Sequence, residues 1–223
     1  VPLALLLRTR APMPAAPQPG AITPRNPMAL GLPPNVLQTL IILAGITCCI
    51  AMAMPQVHIV AYCVDLGFGA ARGAQMLSVM LASGIASRLI FGFIMDRIGG
   101  VRTLVLSSLL QGIALLLFLP SDGLTALFLV SFMFGLFQGG LVPCYAMIVR
   151  ENFPPSEAGS RVGMALSSTM VGMAIGGWMA GALFDATGGY TAAMWNGIAW
   201  NLVNLSIALW LFWRLKRRQQ AFA

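Results

Sequence analysis

The stretch LASGIASRLIFGFIMDRIGGVRTLVL, residues 81–106, decides how this chain is read. It sets one arginine, Arg88, in a run that is otherwise uncharged from Gly73 to Met95, then ends in Asp96-Arg97-Ile98-Gly99-Gly100-Val101-Arg102. An arginine at the centre of a bilayer costs about 2.5–3.5 kcal/mol on insertion scales. A charge held that deep calls for a chemical role, whereas the Asp-Arg turn marks where the run meets water.

Outward from this stretch the chain has the same character. Of its 223 residues 58% are hydrophobic and 9% charged, against about 25% charged in soluble domains, and the mean hydropathy is +0.85. This is the composition of an all-α integral membrane protein. Apolar runs at about 36–62, 73–95, 103–120, 124–149, 160–184 and 192–213 are each near the ~20 residues that cross the hydrocarbon core. Short turns join them. The opening segment PLALLLRTR is too short to span and reads as the end of a preceding helix. Residues 11–35, rich in Pro and Ala and without periodicity, read as an extended linker. The domain plan is therefore residues 1–35 as helix end plus cytoplasmic inter-bundle linker, 36–213 as a six-helix bundle, and 214–223 as a basic cytoplasmic tail.

The net charge of +7 does not point to nucleic acid, because the basic residues sit in loops and in the tail. Placing the linker in the cytoplasm puts Arg8, Arg10, Arg25, Arg97, Arg102, Arg150, Arg161, Arg214, Lys216, Arg217 and Arg218 on that side, eleven of the thirteen. Both ends are then cytoplasmic by the positive-inside rule. The cysteines Cys48, Cys49, Cys63 and Cys144 lie in apolar runs without metal-type spacing and read as packing residues. No metal, cofactor or catalytic motif is evident.

An internal repeat organises the six runs. Gly92-x-x-x-Asp96-x-x-Gly99-Gly100 closes the second, and Gly181-x-x-x-Asp185-x-x-Gly188-Gly189 closes the fifth, 89 residues later. Pro55 and Pro143 are nearly the same distance apart in the first and fourth. Three helices followed by three similar ones make a 3+3 repeat, and an odd number of spans per unit inverts the second unit in the membrane. Ala186 and Thr191 replace Arg97 and Arg102 in the second copy, in keeping with an opposite side.

The turn Gly92-Phe-Ile-Met-Asp96-Arg97-Ile-Gly99-Gly100-Val-Arg102 resembles the signature loop between the eighth and ninth helices of the major facilitator superfamily. Further along, MPQVHIVAY (54–62), SRLIFGFIMDRIGG (87–100), FGLFQGGLVPCY (134–145), GMAIGGWMAGALFDATGGY (172–190) and WNGIAWNLVNL (195–205) look like the carboxyl-terminal half of bacterial monocarboxylate transporters and their oxalate/formate antiporter relatives. The resemblance implies half of a facilitator fold in a bacterial inner membrane, a missing amino-terminal six-helix half, and a small carboxylate substrate carried by alternating access. It also implies that Arg88 grips the substrate carboxylate, a task suited to a planar guanidinium that stays charged. Gly92, Asp96, Arg97, Gly99 and Arg102 would form the gating loop. One position departs from the pattern: mammalian members carry an acidic residue one turn before the arginine, where this chain has Gly84. Any proton-coupling group would then lie elsewhere.

The residues themselves leave alternatives. Arg88 could snorkel to the interface, although Asp96 is about 12 Å further along the helix. His58, three residues after Pro55, is either a titrating coupling group or a packing histidine. Tyr145, two residues after Pro143, joins the candidate substrate site because proline-interrupted helices in corresponding positions point to the binding centre. Glycine pairs such as Gly135/Gly139 and Gly172/Gly176 have the spacing of close helix contacts. The competing functional readings are a self-contained six-helix scaffold or channel-like subunit, and a facilitator-fold carrier of an unrelated substrate.

Overall fold

The computed structural model describes residues 30–221. The expected end of a preceding helix and most of the expected linker, residues 1–29, lie outside the described residues. Among the described residues every regular element is a helix: α1 (Pro34–Asp65), α2 (Ala70–Ile98), α3 (Gly100–Phe118), α4 (Leu124–Gln138), α5 (Leu141–Asn152), α6 (Pro155–Thr187) and α7 (Thr191–Ala221). With α4 and α5 taken as one broken span, six helical segments are long and apolar enough to cross a membrane. The shortest, α3, has 19 residues, about 28 Å, which still matches the ~30 Å hydrocarbon core.

Local chemistry sets the boundaries. α1 and α6 each begin on a proline, whose fixed φ and missing N–H suit the first helical turn. Gly99 (φ +85°) separates α2 from α3, and Gly188 (φ +69°) ends α6. These two glycines are the repeat-equivalent pair read from the sequence, and both adopt backbone conformations that side chains disfavour.

The packing obeys the repeat. α1 lies on α6 as α4 lies on α2; α1 meets α7 as α4 meets α3; α1 meets α2 as α5 meets α6; and the α3–α7 pair maps onto itself. Exchanging the two three-span units therefore reproduces the set of neighbours.

The fourth span corrects one expectation. Its interruption falls at Gly139–Gly140, not at Pro143, which sits in the first turn of α5, where a missing N–H costs little. α1, by contrast, runs unbroken through Pro55. The basic segment that follows the last span is helical. α7 continues as helix to Ala221, with Arg214 over the Trp210 ring at 5.1 Å and Arg217 over Trp213 at 3.6 Å.

A polar tie crosses the middle of the bundle. The Tyr145 hydroxyl donates to the Ala44 carbonyl at 3.0 Å and lies 3.3 Å from Asn204 Oδ1, while Asn204 Nδ2 donates to Ser108 Oγ at 2.8 Å. Asn201 Nδ2 donates to Gln111 Oε1 at 2.8 Å, and Gln111 Nε2 reaches the Cys48 carbonyl at 3.4 Å. Such interhelical bonds join α1, α3, α5 and α7 where apolar contact alone gives little preference over lipid.

Candidate functional site

On α2 the buried stripe is Gly73, Met76, Met80, Ser83, Ser87, Phe91 and Met95, the 3–4 spacing of one helix face. Arg88 lies just off that stripe and is exposed. Among the described residues it makes no hydrogen bond or ion pair. The residues around it on the open side are apolar, with Ile85 63%, Leu89 66% and Phe93 72% exposed. An arginine in that setting has nothing on this bundle to neutralise it.

What seats α2 beside Arg88 is the glycine pair in the fourth span, where both residues keep right-handed helical backbone but present no side chain. A Cβ added at Gly139 would come within 2.6 Å of the Ser87 side chain and 2.7 Å of the Gly84 carbonyl, and one at Gly140 would overlap the Phe91 ring. The glycine pair thus forms the notch that receives Ser87 and Phe91, the residues flanking Arg88 on the buried face. Two consecutive glycines weaken a helix by about 1 kcal/mol each relative to alanine, so the same residues both interrupt the span and admit α2. Gly135, one turn earlier, lies against Met80 and Ser83.

Arg88, Gly92 and Asp96 follow one another at four-residue intervals and so share one stripe of α2. A Cβ at Gly92 would meet nothing within 4 Å, and Asp96 is exposed with no hydrogen bond or ion pair among the described residues. Arg97 is exposed beside it, and Arg102, in the first turn of α3, donates to Gln219 Oε1 at 3.1 Å. This stripe is the unpartnered side of the bundle. Gly99 lies behind it, where a Cβ would stand 3.6 Å from Glu151 Oε1.

His58 and Tyr145 are placed differently. His58 Nε2 is 3.0 Å from the Gly177 carbonyl of α6, so that nitrogen must carry a hydrogen to donate. Its ring lies 5.8 Å from that of Tyr190, which in turn meets Tyr62 edge-on at 5.5 Å and Phe184 at 4.5 Å. Burial, then the charges of Asp65 and Asp185, holds the Tyr190 hydroxyl above its ordinary pKa. Tyr145 is fully buried and its hydroxyl is engaged in the polar tie. No hydrogen bond or ring contact among the described residues joins Arg88, His58 and Tyr145.

Reading the sequence missed Glu151. Its carboxylate accepts the Gly100 N–H at 3.0 Å, which places an acid at the N-terminus of α3, the favourable end of the helix dipole. The signal lay in a lone acid at the end of the fourth run, but nothing local said which turn it would reach. Glu157 and Arg161, at the start of α6, pair with each other at 2.7 Å, and Arg161 also covers the Phe153 ring at 4.2 Å.

Six spans, a packing pattern that repeats between the two three-span units, and the Gly92–Arg102 turn at the end of α2 now stand beside a direct comparison: residues 39–223 match the Major Facilitator Superfamily. The chain belongs to that superfamily. Facilitator proteins are transporters, not enzymes. Relatives include Monocarboxylate transporter 13 of Rattus norvegicus, 31% identical over 142 residues, which is 63% of this chain and 33% of the relative. The Bos taurus protein of the same name is 30% identical over 142 residues, again 63% and 33%. MFS-type transporter opdF of Penicillium oxalicum is 25% identical over 158 residues, 70% of this chain and 37% of that protein. The chain thus aligns with about a third of the length of these facilitator relatives. They are mammalian and fungal and lend no support to a bacterial membrane; insertion in a bilayer stands on the six spans.

Proposed function

We propose that the chain forms one six-helix half of a secondary transporter that moves a small carboxylate by alternating access, with Arg88 as the anion anchor. The observation that carries this reading is Arg88 itself: a guanidinium far from either helix end, unpaired among the described residues, on the open stripe that also carries Gly92 and Asp96. A planar fork left without a partner in low dielectric attracts a carboxylate through two parallel hydrogen bonds. The monocarboxylate names of the relatives support the same substrate class.

In this reading a second six-helix bundle faces the open stripe, and substrate is held between the two near the membrane midplane. Asp96 and Arg97 mark the cytoplasmic rim, which places both ends of the bundle on that side. His58, which links α1 to α6 through its hydrogen bond to the Gly177 carbonyl, is the candidate for a coupled proton, its other ring nitrogen being left to take one up. Tyr145 acts from behind, holding α5 on α1 and α7, and so sets the position of the notch that seats α2.

Uptake of radiolabelled lactate, oxalate and a sugar by liposomes holding the intact transporter tests the proposal. Carboxylate uptake above the sugar control is expected, with Arg88→Lys lowering it by at least about tenfold, since a lysine cannot make the bidentate pair. Near-normal carboxylate uptake by Arg88→Lys would sink the anchor, and sugar uptake alone would sink the substrate class.

A further inference from the structure

A groove of about 540 Å3 opens between α3 and α7, a volume in the ~300–1,000 Å3 range of ligand clefts. It lies on the helix pair that maps onto itself in the repeat, not on the open stripe of α2. Leu106, Leu109, Phe212 and Leu215 wall it, and Arg102 and Lys216 stand at its Gly99 end. Neither cation meets a carboxylate among the described residues; Arg102 donates only to the neutral Gln219 side chain.

Two further features set the depth of this groove. Trp210 and Trp213, 37% and 46% exposed, carry Arg214 and Arg217 over their rings, the amphipathic pairing found where helices pass the headgroup level. From the groove inward, Leu106, Leu109, Ile113 and Leu116 are exposed at intervals of three or four residues, an apolar stripe about 15 Å long. Cations lie at headgroup depth and a continuous apolar track runs from them into the hydrocarbon.

We propose that this groove seats an anionic phospholipid, with its phosphate between Arg102 and Lys216 and an acyl chain along the exposed stripe of α3. Charge complementarity selects the headgroup, because basic pockets between spanning helices attract anionic lipid. A free phosphate would use the cations but leave the apolar walls without a role. A zwitterionic lipid would fill the walls without answering the excess positive charge.

Native mass spectrometry of the full chain, delipidated in detergent and then given phosphatidylglycerol, phosphatidylcholine or inorganic phosphate, tests this. Phosphatidylglycerol should be retained about thirtyfold better than phosphatidylcholine, the combined effect of two basic groups near a membrane surface. Arg102→Ala with Lys216→Ala should abolish that preference, whereas Arg102→Lys with Lys216→Arg should keep it. Leu109→Trp should cut retention of the lipid by filling the groove while leaving both cations. Helical content measured for each variant separates a lost site from a lost fold, and the charge-conserving pair remains informative if the alanine pair does not fold. Equal retention of the two lipids, an undiminished preference in the alanine pair, binding of phosphate as tight as that of the lipid, or a dimer through this face that excludes lipid would each overturn the proposal.

Discussion

Two seams in this bundle are the same contact made with opposite residues. Where α4 lies on α2, the small residues are on α4: Gly135 meets Met80 and Ser83, and Gly139 meets Ser87. Where α1 lies on α6, they are on α6: Gly172 meets Ile46, and Gly176 meets Ile50. The positions correspond at the 89-residue offset, Ser83 with Gly172, Ser87 with Gly176, Ile46 with Gly135 and Ile50 with Gly139. The closest approaches to a facing backbone come from the glycines of one side, α4 in the first seam and α6 in the second, while the facing helices add only Gly84 beside Gly135 and Gly139, and Gly45 beside Ser168. The first repeat therefore leaves α2 free to keep side chains along its contact edge, and Arg88 stands beside them. In the second repeat the glycines occupy α6, and the place of Arg88 is taken by Gly177, whose carbonyl is bonded to His58. The exchange of glycines accounts for how one fold symmetry supports one helix that carries a charge and one whose matching position is a glycine bonded to α1.

The largest stability effect should come from filling either seam. Gly139→Leu and Gly176→Leu each drive a side chain onto backbone atoms that are 2.7 Å from the Cβ position, and overpacking of this kind costs about 1–3 kcal/mol or more. Thermal unfolding in detergent should fall sharply and similarly for both, while Gly163→Ala, in open space, leaves it unchanged or higher. A large loss at only one seam would break the equivalence.

The two turns that close the repeats should separate next. Gly99 has φ +85° and ψ +164°, a region reserved for glycine, whereas Gly188 has φ +69° and ψ +17°, which asparagine also visits. Gly99→Asn should therefore lose about 1–3 kcal/mol, and Gly188→Asn well under that. Equal melting temperatures for the two would show that neither turn conformation limits stability.

A smaller difference lies in what holds each turn from across the repeat. The end of α5 supplies Glu151 to the Gly100 N–H, and α1 supplies Tyr62 and His58 to Tyr190. Glu151→Ala should destabilise by about 1 kcal/mol through loss of a helix cap, with Glu151→Gln recovering part of it by keeping an acceptor. Identical stability of Glu151→Ala and the parent protein would remove the cap from the account. The smallest effect is expected at Tyr145→Phe, about 1 kcal/mol or less, because Asn204 keeps its bond to Ser108. A loss of several kcal/mol there would mean that the polar tie behaves as one unit.

The position of the interruption in the fourth span shows where sequence reading stops. Pro143 is the visible breaker, but the break follows Gly139–Gly140, because that is where α2 presses in, and a proline in a first helical turn disrupts nothing. Tyr145 reads as a cavity residue by its nearness to that proline; its fully buried hydroxyl belongs to a tie between α1, α5 and α7. The partners in that tie are visible as Ser108, Gln111, Asn201 and Asn204 in apolar runs, yet their pairing depends on which faces of α3 and α7 meet.

Sequence by itself determined the six spans, the repeat and the superfamily, because membrane crossing demands long uncharged runs and a signature turn is a local pattern. The placement of Arg88 inside an otherwise uncharged run was also legible, since that is a property of one segment. Tertiary structure alone decided which side of each seam gives up its side chains, that Glu151 reaches Gly100, and that Arg88 faces outward on the stripe with Gly92 and Asp96. Those outcomes rest on contacts between residues tens of positions apart, where the approach of two backbones, not the preference of either segment, selects the arrangement.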